Sequence, residues 1–248
     1  MVALEAVVLA LQVVDFQAAV AALVEEELVV TGNKVIIFDL DGTLIDSLED
    51  IAVCMNQVLK ELNLPYYEIE EYKYFVGGGI SILVDNALDK EISQKIKNEV
   101  TLRFKEVYDQ KLHKKTLPYK GIYELLDELE KLDFKIGILS NKPHEFTVQY
   151  VKNLFSKYNI QEIHGQKEEI PKKPDPLAAI NIAKRLETPC EEVYFVGDTM
   201  VDMQTAKNAN MKAIGVLWGF RDEEELLNNG ADFLVKHPLD ILKIVNKK

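Results

Sequence analysis

The chain has 248 residues, 48% of them hydrophobic and 28% charged, enough to bury a large core as one large domain or two small ones. Its formal net charge of -12, from 29 basic and 41 acidic residues, argues against a nucleic acid polymer as partner, so an anionic substrate must be held by a few local cations or a metal. Two cysteines, Cys54 and Cys190, with no Cys-x-x-Cys or His-x-x-His spacing nearby, give neither a disulfide framework nor a zinc site and fit a reducing cytoplasm.

Residues 1–33 contain no Lys or Arg and are dominated by Ala, Val, Leu and Glu. Their unbroken apolar stretches, such as Ala6 to Leu11, are far shorter than the roughly 20 residues that cross a bilayer. A secretory signal would need a basic start, and Gln12, Asp15 and Gln17 interrupt its apolar core, so neither membrane nor export is expected. Leu4, Val7, Val8, Leu11 and Val14 recur near helical spacing and predict an amphipathic helix to about Glu27. Its apolar face packs on the body of the protein, on a second copy or on a partner; the chain is expected to be a monomer or homodimer.

From Lys34 onward, β-branched runs alternate with amphipathic stretches: Val35 to Leu40, Lys135 to Ser140, Ile160 to His164, Val193 to Gly197 and Ala213 to Leu217. Runs such as Val-Ile-Ile-Phe suit strands buried on both faces, so the expected class is α/β with a doubly wound, mostly parallel sheet. About 95 residues separate the first two strands, far more than the dozen or so of a simple crossover. Leu48 to Leu62, Ile69 to Tyr74, Ile80 to Leu88 and Ile92 to Leu112 read as helical, broken at Asn63, Pro65 and Gly77-Gly78-Gly79. The expected organisation is a helical extension over 1–33, an α/β core over 34–47 and 117–248, and a small all-helical cap over 48–116, with hinges near Ser47 and Leu117-Pro118.

Asp39 and Asp41 sit two apart at the end of the first strand and project to one face at the sheet's carboxyl edge, where open α/β sheets bind ligands. Asp41-Gly42 alone would make a turn, but two close carboxylates repel, and a divalent cation resolves the conflict. Asp198 and Asp202 repeat the pattern after a later strand, although Asp202 also suits a helix cap. Leu139-Ser140-Asn141-Lys142 offers a hydroxyl, an amide and a cation at the expected start of a helix, whose dipole favours anions. Lys173 precedes another helix at the same edge. Asp46 and Ser47 are expected to cap the first inserted helix, with Asp50 at the capping-box position.

Asp39-Leu40-Asp41-Gly42-Thr43-Leu44-Ile45-Asp46-Ser47, then Ser140-Asn141, Lys173-Pro174 and Gly197-Asp198-Thr199 with Asp202, resemble the four ordered motifs of the haloacid dehalogenase (HAD) superfamily. The resemblance covers Lys34 to about Val245. Val76-Gly77-Gly78-Gly79 and Gly215 through Arg221 are most similar to phosphoglycolate phosphatases and their close relatives.

The resemblance implies a HAD-like Rossmannoid core and a Mg²⁺-dependent phosphatase acting on a small phosphorylated metabolite. Asp39 would be the nucleophile that forms a phosphoaspartate. Asp41 would protonate the leaving alkoxide and then deprotonate water. Asp39, Asp198 and the main-chain carbonyl of Asp41 would ligate Mg²⁺, with Asp202 ligating through water or orienting the site. Thr43, Ser140 and Asn141 would hydrogen-bond phosphate oxygens, and Lys173 would neutralise charge on phosphate and nucleophile. Phosphoglycolate is the first substrate expected, ahead of a pyrophosphatase, nucleotidase or sugar-phosphate mutase reading. Dehalogenases lack a carboxylate at the position of Asp41, and no cap lysine stands out as an imine former, which disfavours halide and phosphonate chemistry. A regulatory protein switched by a phosphorylated Asp is the alternative of another class; the large insertion and Asp41 argue for turnover.

Overall fold

Every side chain of β1 (Val35–Phe38) is buried, because the strand is covered on both faces. A computed structural model describes residues 34–111 and 115–246; the helix expected within 1–33 lies outside the described residues. Ile36 and Phe38 enter one apolar cluster with α4 (Ile122–Lys131), α5 (His144–Phe155) and α9 (Ile241–Val245). Val35 and Ile37 enter the other with α6 (Leu177–Arg185), α7 (Met200–Asn208) and Leu226 of α8 (Glu223–Asn228). The period of two along the strand thus feeds two helical layers from one central strand.

The sheet has six parallel strands in the order β5 (Ile160–Gln166), β4 (Lys135–Pro143), β1, β6 (Tyr194–Gly197), β7 (Lys212–Val216) and β8 (Phe233–Val235). The chain leaves β1 for β4 and β5 on one side and returns to β6 on the other. β1 and β6 are therefore the neighbours whose connections diverge, and the crevice at their carboxyl ends is the ligand position of doubly wound sheets. Phe38 pairs with Val196, and the N–H of Asp39 donates to the Val196 carbonyl at 2.9 Å, so Asp39 and Asp198 leave the sheet side by side.

The α/β class and the parallel sheet agree with the sequence reading, and three details differ. β8 was not anticipated; it is a three-residue edge strand. β4 continues through Pro143 and α5 starts at His144, so Ser140, Asn141 and Lys142 lie on an extended strand and not at a helix start. Likewise α6 begins at Leu177, four positions after Lys173.

The insertion departs and returns through β2 (Ile45–Asp46) and β3 (Leu117–Pro118), which pair antiparallel as a short ribbon. Between them lie α1 (Leu48–Glu61), a 3-10 turn over Ile69–Tyr74, α2 (Ile80–Ala87) and α3 (Gln94–Lys111). α3 buries Val100, Phe104, Val107 and Tyr108, the face that helical periodicity dictates. At about 1.5–3 kcal/mol for each large apolar side chain taken from water, that stripe outweighs the low intrinsic hydrophobicity of the rest of the helix. Asn56 fixes the turn by accepting from the Tyr67 N–H (3.1 Å) and the Tyr72 hydroxyl (2.7 Å).

The capping box expected at α1 does not form. Ser47 occupies the N-cap position but makes no capping bond; its hydroxyl donates to Asp41 Oδ1 at 2.6 Å. Asp50 Oδ2 instead accepts the N–H groups of Lys115 (3.1 Å) and Thr116 (2.9 Å) and the Thr116 hydroxyl (2.6 Å). Both side chains are drawn away from the helix end by tertiary donors and acceptors that satisfy them while buried. Among the described residues no helix is long and apolar enough to cross a membrane.

Candidate active site

After β1 the chain makes a tight turn in which the N–H groups of Leu44 and Ile45 both donate to the Leu40 carbonyl, at 2.9 and 3.0 Å. Gly42 takes φ +87° there, and a Cβ on it would lie 2.2 Å from Asp198 Oδ2. Glycine is required on both counts, by the backbone and by the approach of the second aspartate. Asp198 is fully buried and held at both oxygens: Oδ1 accepts from the Thr43 hydroxyl at 3.0 Å and Oδ2 from the Phe220 N–H at 2.8 Å. The Trp218 indole N–H in turn donates to the Thr43 carbonyl at 2.9 Å. The loop after β7 thereby braces the first motif loop.

Asp202 does two jobs. Its Oδ2 accepts the N–H (3.0 Å) and hydroxyl (2.8 Å) of Thr199 in a capping box at the start of α7. Its Oδ1 accepts from Lys173 Nζ at 2.6 Å, and the same ammonium lies 2.8 Å from Asp39 Oδ1. Asn141 secures the lysine's loop: its Oδ1 accepts the Lys173 N–H at 2.9 Å, and its Nδ2 donates to the Lys173 carbonyl at 3.1 Å.

Asp41 turns to another lysine. Lys142 Nζ lies 3.0 and 3.2 Å from its two oxygens and donates to the Tyr108 hydroxyl at 2.8 Å. Ser140 is buried beside this pair, its Oγ accepting the Lys142 N–H at 3.2 Å. All eight residues singled out in sequence (Asp39, Asp41, Thr43, Ser140, Asn141, Lys173, Asp198 and Asp202) therefore gather at one edge of the sheet. Two of them present different groups from those expected, since the Thr43 hydroxyl is spent on Asp198 and the Asn141 amide on Lys173 and Gly77. Ser47, Tyr108 and the pairing of Lys142 with Asp41 were missed. Lys142 carried a signal: on an extended strand it shares a face with Ser140 two residues earlier.

A cleft with about 540 Å³ of empty space, its open mouth included, lies between this edge and the insertion. Asp39, Asp41, Ser140, Asn141 and Lys142 line the core side, and Gly77, Gly79, Ile80, Leu83, Phe104 and Tyr108 line the other. Polar bonds cross between the two. Asn141 Nδ2 donates to the Gly77 carbonyl at 3.1 Å, and Lys172 Nζ reaches the Gly78 carbonyl (3.2 Å) and Ser81 Oγ (2.7 Å). Arg221 donates to the carbonyls of Lys73 and Val76.

A family model for haloacid dehalogenase-like hydrolases matches residues 36–216. The chain belongs to the haloacid dehalogenase-like hydrolases. Phosphoglycolate phosphatases of Vibrio parahaemolyticus and Aquifex aeolicus are 30% and 32% identical to it, over 86% of this chain and 96% and 97% of theirs. A Lactobacillus delbrueckii subsp. bulgaricus structure, described as a candidate phosphoglycolate phosphatase, superposes with a TM-score of 0.82 at 28% identity, covering 88% of this chain and 100% of that one. A haloacid dehalogenase-like hydrolase of Streptococcus pneumoniae gives 0.78 at 25% identity, over 86% and 99%. This hydrolase is accordingly a phosphatase of the phosphoglycolate phosphatase-like kind.

The hydrolase's carboxylates carry more negative charge than the protein itself offsets. Burial, and then the charges of Asp202 and Asp39, push Asp198 well above the ordinary carboxyl range. Burial raises Asp39 to about 7 even though Lys173 opposes the shift. Burial also works against the Lys173 ammonium, but Asp202 and Asp39 outweigh it and hold its pKa above the usual lysine value. Asp39, Asp198 and Asp202 each offer an oxygen, all within 4.8 Å of one another and all buried. An all-oxygen, surplus-anion set of this kind fits a hard divalent cation. The Asp41 carboxylate faces Lys142 and Ser47 and stands apart from that cluster.

Proposed function

We propose that this hydrolase is a Mg²⁺-dependent phosphatase for a small phosphate monoester, phosphoglycolate first, working through a phosphoaspartate on Asp39. The observation that carries this reading is a pair of carboxylates two residues apart, open to one cleft, each with its own ammonium: Asp39 with Lys173 and Asp41 with Lys142.

An oxygen of Asp39 attacks phosphorus and the ester P–O bond breaks, its electron pair leaving with the alcohol oxygen. Asp41, held by Ser47 and Lys142 beside the nucleophile, gives that oxygen its proton. In the second step Asp41 takes a proton from water, the water oxygen attacks phosphorus, and the bond to Asp39 breaks to release inorganic phosphate. Lys173 fixes the attacking carboxylate and offsets charge building on the phosphoryl oxygens, and Ser140 Oγ lies on the same face to donate to them. Thr43 serves by orienting Asp198, and Asn141 by anchoring Lys173. Asp39, Asp198, Asp202 and the Asp41 carbonyl would hold Mg²⁺, which when bound supplies positive charge for the phosphoryl group. Residues 48–116 act as a cap whose closure over the cleft shuts out bulk water.

Phosphate release from phosphoglycolate, pyrophosphate, nucleotides and sugar phosphates, with and without Mg²⁺, tests the reading. Mg²⁺-dependent turnover is expected, abolished by Asp39→Asn. Full activity in that variant would end the covalent mechanism. Trapping of beryllium fluoride on Asp39 with no turnover of any substrate would favour the regulatory alternative.

A further inference from the structure

Lys142 is the one cation among the described residues that line the cleft, and its side chain is only 5% exposed. Besides Asp41, its ammonium meets the Tyr108 hydroxyl at 2.8 Å and the rings of Tyr108 and Tyr150 at 4.7 and 4.9 Å from their centroids. Burial holds the Tyr108 phenol in its neutral form, so it supplies a dipole and no countercharge. Beside this group Ile80, Leu83, Phe104 and Phe146 give the cleft an apolar wall.

That wall discriminates. A sugar or nucleoside leaving group would bring several hydroxyls against these apolar side chains, and each group left unmet there costs free energy. A short leaving group carrying an anion would set that anion against a poorly hydrated ammonium, where a charge-assisted bond is strong. The ammonium lies 3.0 Å from Asp41, the residue that serves the leaving oxygen, so the anion must sit within one or two atoms of the scissile bond.

We propose that Lys142 is the specificity-determining residue of this site and receives an anionic group borne by the leaving group close to the ester oxygen. A carboxylate, as in phosphoglycolate, and a second phosphate, as in pyrophosphate, share this chemistry. The inference rests on the phosphatase reading above.

The test compares phosphoglycolate, pyrophosphate and ethyl phosphate, which keeps the ester and drops the second anion, in wild type and in Lys142→Met. The variant is expected to lose roughly 10- to 100-fold more kcat/KM on phosphoglycolate or pyrophosphate than on ethyl phosphate, with most of that difference in KM. Lys142→Arg restores part of it. Tyr108→Phe removes the hydroxyl that steers the ammonium but keeps charge and packing, and shifts the same ratio the same way by a smaller factor, even where Lys142→Met folds poorly. A selective loss on pyrophosphate alone assigns the anion as phosphate; on phosphoglycolate alone, as carboxylate. Equal losses on all three substrates would reduce Lys142 to a partner of Asp41 and overturn the inference while the phosphatase reading stands. A wild type that turns over none of them would defeat the phosphatase reading itself.

Discussion

The side-chain amide of Asn141 donates to the main-chain carbonyl of Gly77, 3.1 Å away, and so joins the core strand to the insertion. The same side chain holds the loop of Lys173 through two further bonds. One residue thus couples the position of the insertion to that of the ammonium beside Asp39.

Asn141→Ala should lower kcat at least about tenfold. It leaves the Lys173 N–H and carbonyl unmet in a buried place, a cost of about 1–3 kcal/mol. Thermal denaturation should register this as a fall of several degrees, at roughly 2–4 °C per kcal/mol for a chain of this size. A variant with normal kcat would show that Lys173 needs no such anchor.

Gly79→Ala attacks the same junction from the other side. Gly79 has φ +82°, and a Cβ there would lie 2.8 Å from the Asn141 carbonyl oxygen. The backbone cannot yield without lifting the loop from the core, so kcat/KM should fall sharply. The helices of the insertion keep their own packing, and the melting temperature should drop much less than activity. Steady-state kinetics beside a melt separates the two effects.

Ser47→Ala should impair catalysis and spare stability. An N-cap serine replaced by alanine loses about 0.5–2 kcal/mol of stability. Ser47 makes no capping bond and donates to Asp41 instead, so the expected result is a several-fold lower kcat with a melting temperature within about 2 °C of wild type. A large thermal shift with normal kcat would restore the capping role.

Ser47 also marks the boundary of what could be read without coordinates. Val35 to Phe38 is legible because a strand buried on both faces must be apolar at every position, and the aspartates after it follow from where such strands end. Ser47 and Asp50 carry a local signature that fits a helix cap, yet their partners are Asp41 and Thr116, and no spacing rule encodes the second of these contacts across 66 positions. Lys142 and Asp41 stand 101 positions apart, so their pairing exists only once β1 and β4 are neighbours. Phe233 to Val235 is too short for periodicity to register and is a strand because β7 offers it a partner.

Divalent metal should stabilise the protein. Asp39 and Asp198 hold their protons more tightly than ordinary carboxyls because burial, and then the charge of Asp202 beside both, penalises ionisation, and a cation removes that penalty. Mg²⁺ at about 100 times its Kd should add about 2.7 kcal/mol, visible as a rise in melting temperature that a chelator reverses. Asp198→Asn should melt at the same temperature with and without Mg²⁺. An unchanged Mg²⁺ response in that variant would remove Asp198 from the ligand set.

Ile45 pairs with Pro118 and Asp46 with Leu117, so the chain leaves for the insertion and comes back through adjacent doorways. The core therefore spans the same short gap whatever length of chain is looped out beyond it, and the entropy of closing that loop grows only slowly with length. The inserted segment can thereby be lengthened, trimmed or exchanged for another while Asp39, Lys142, Lys173 and Asp198 keep their places on the core.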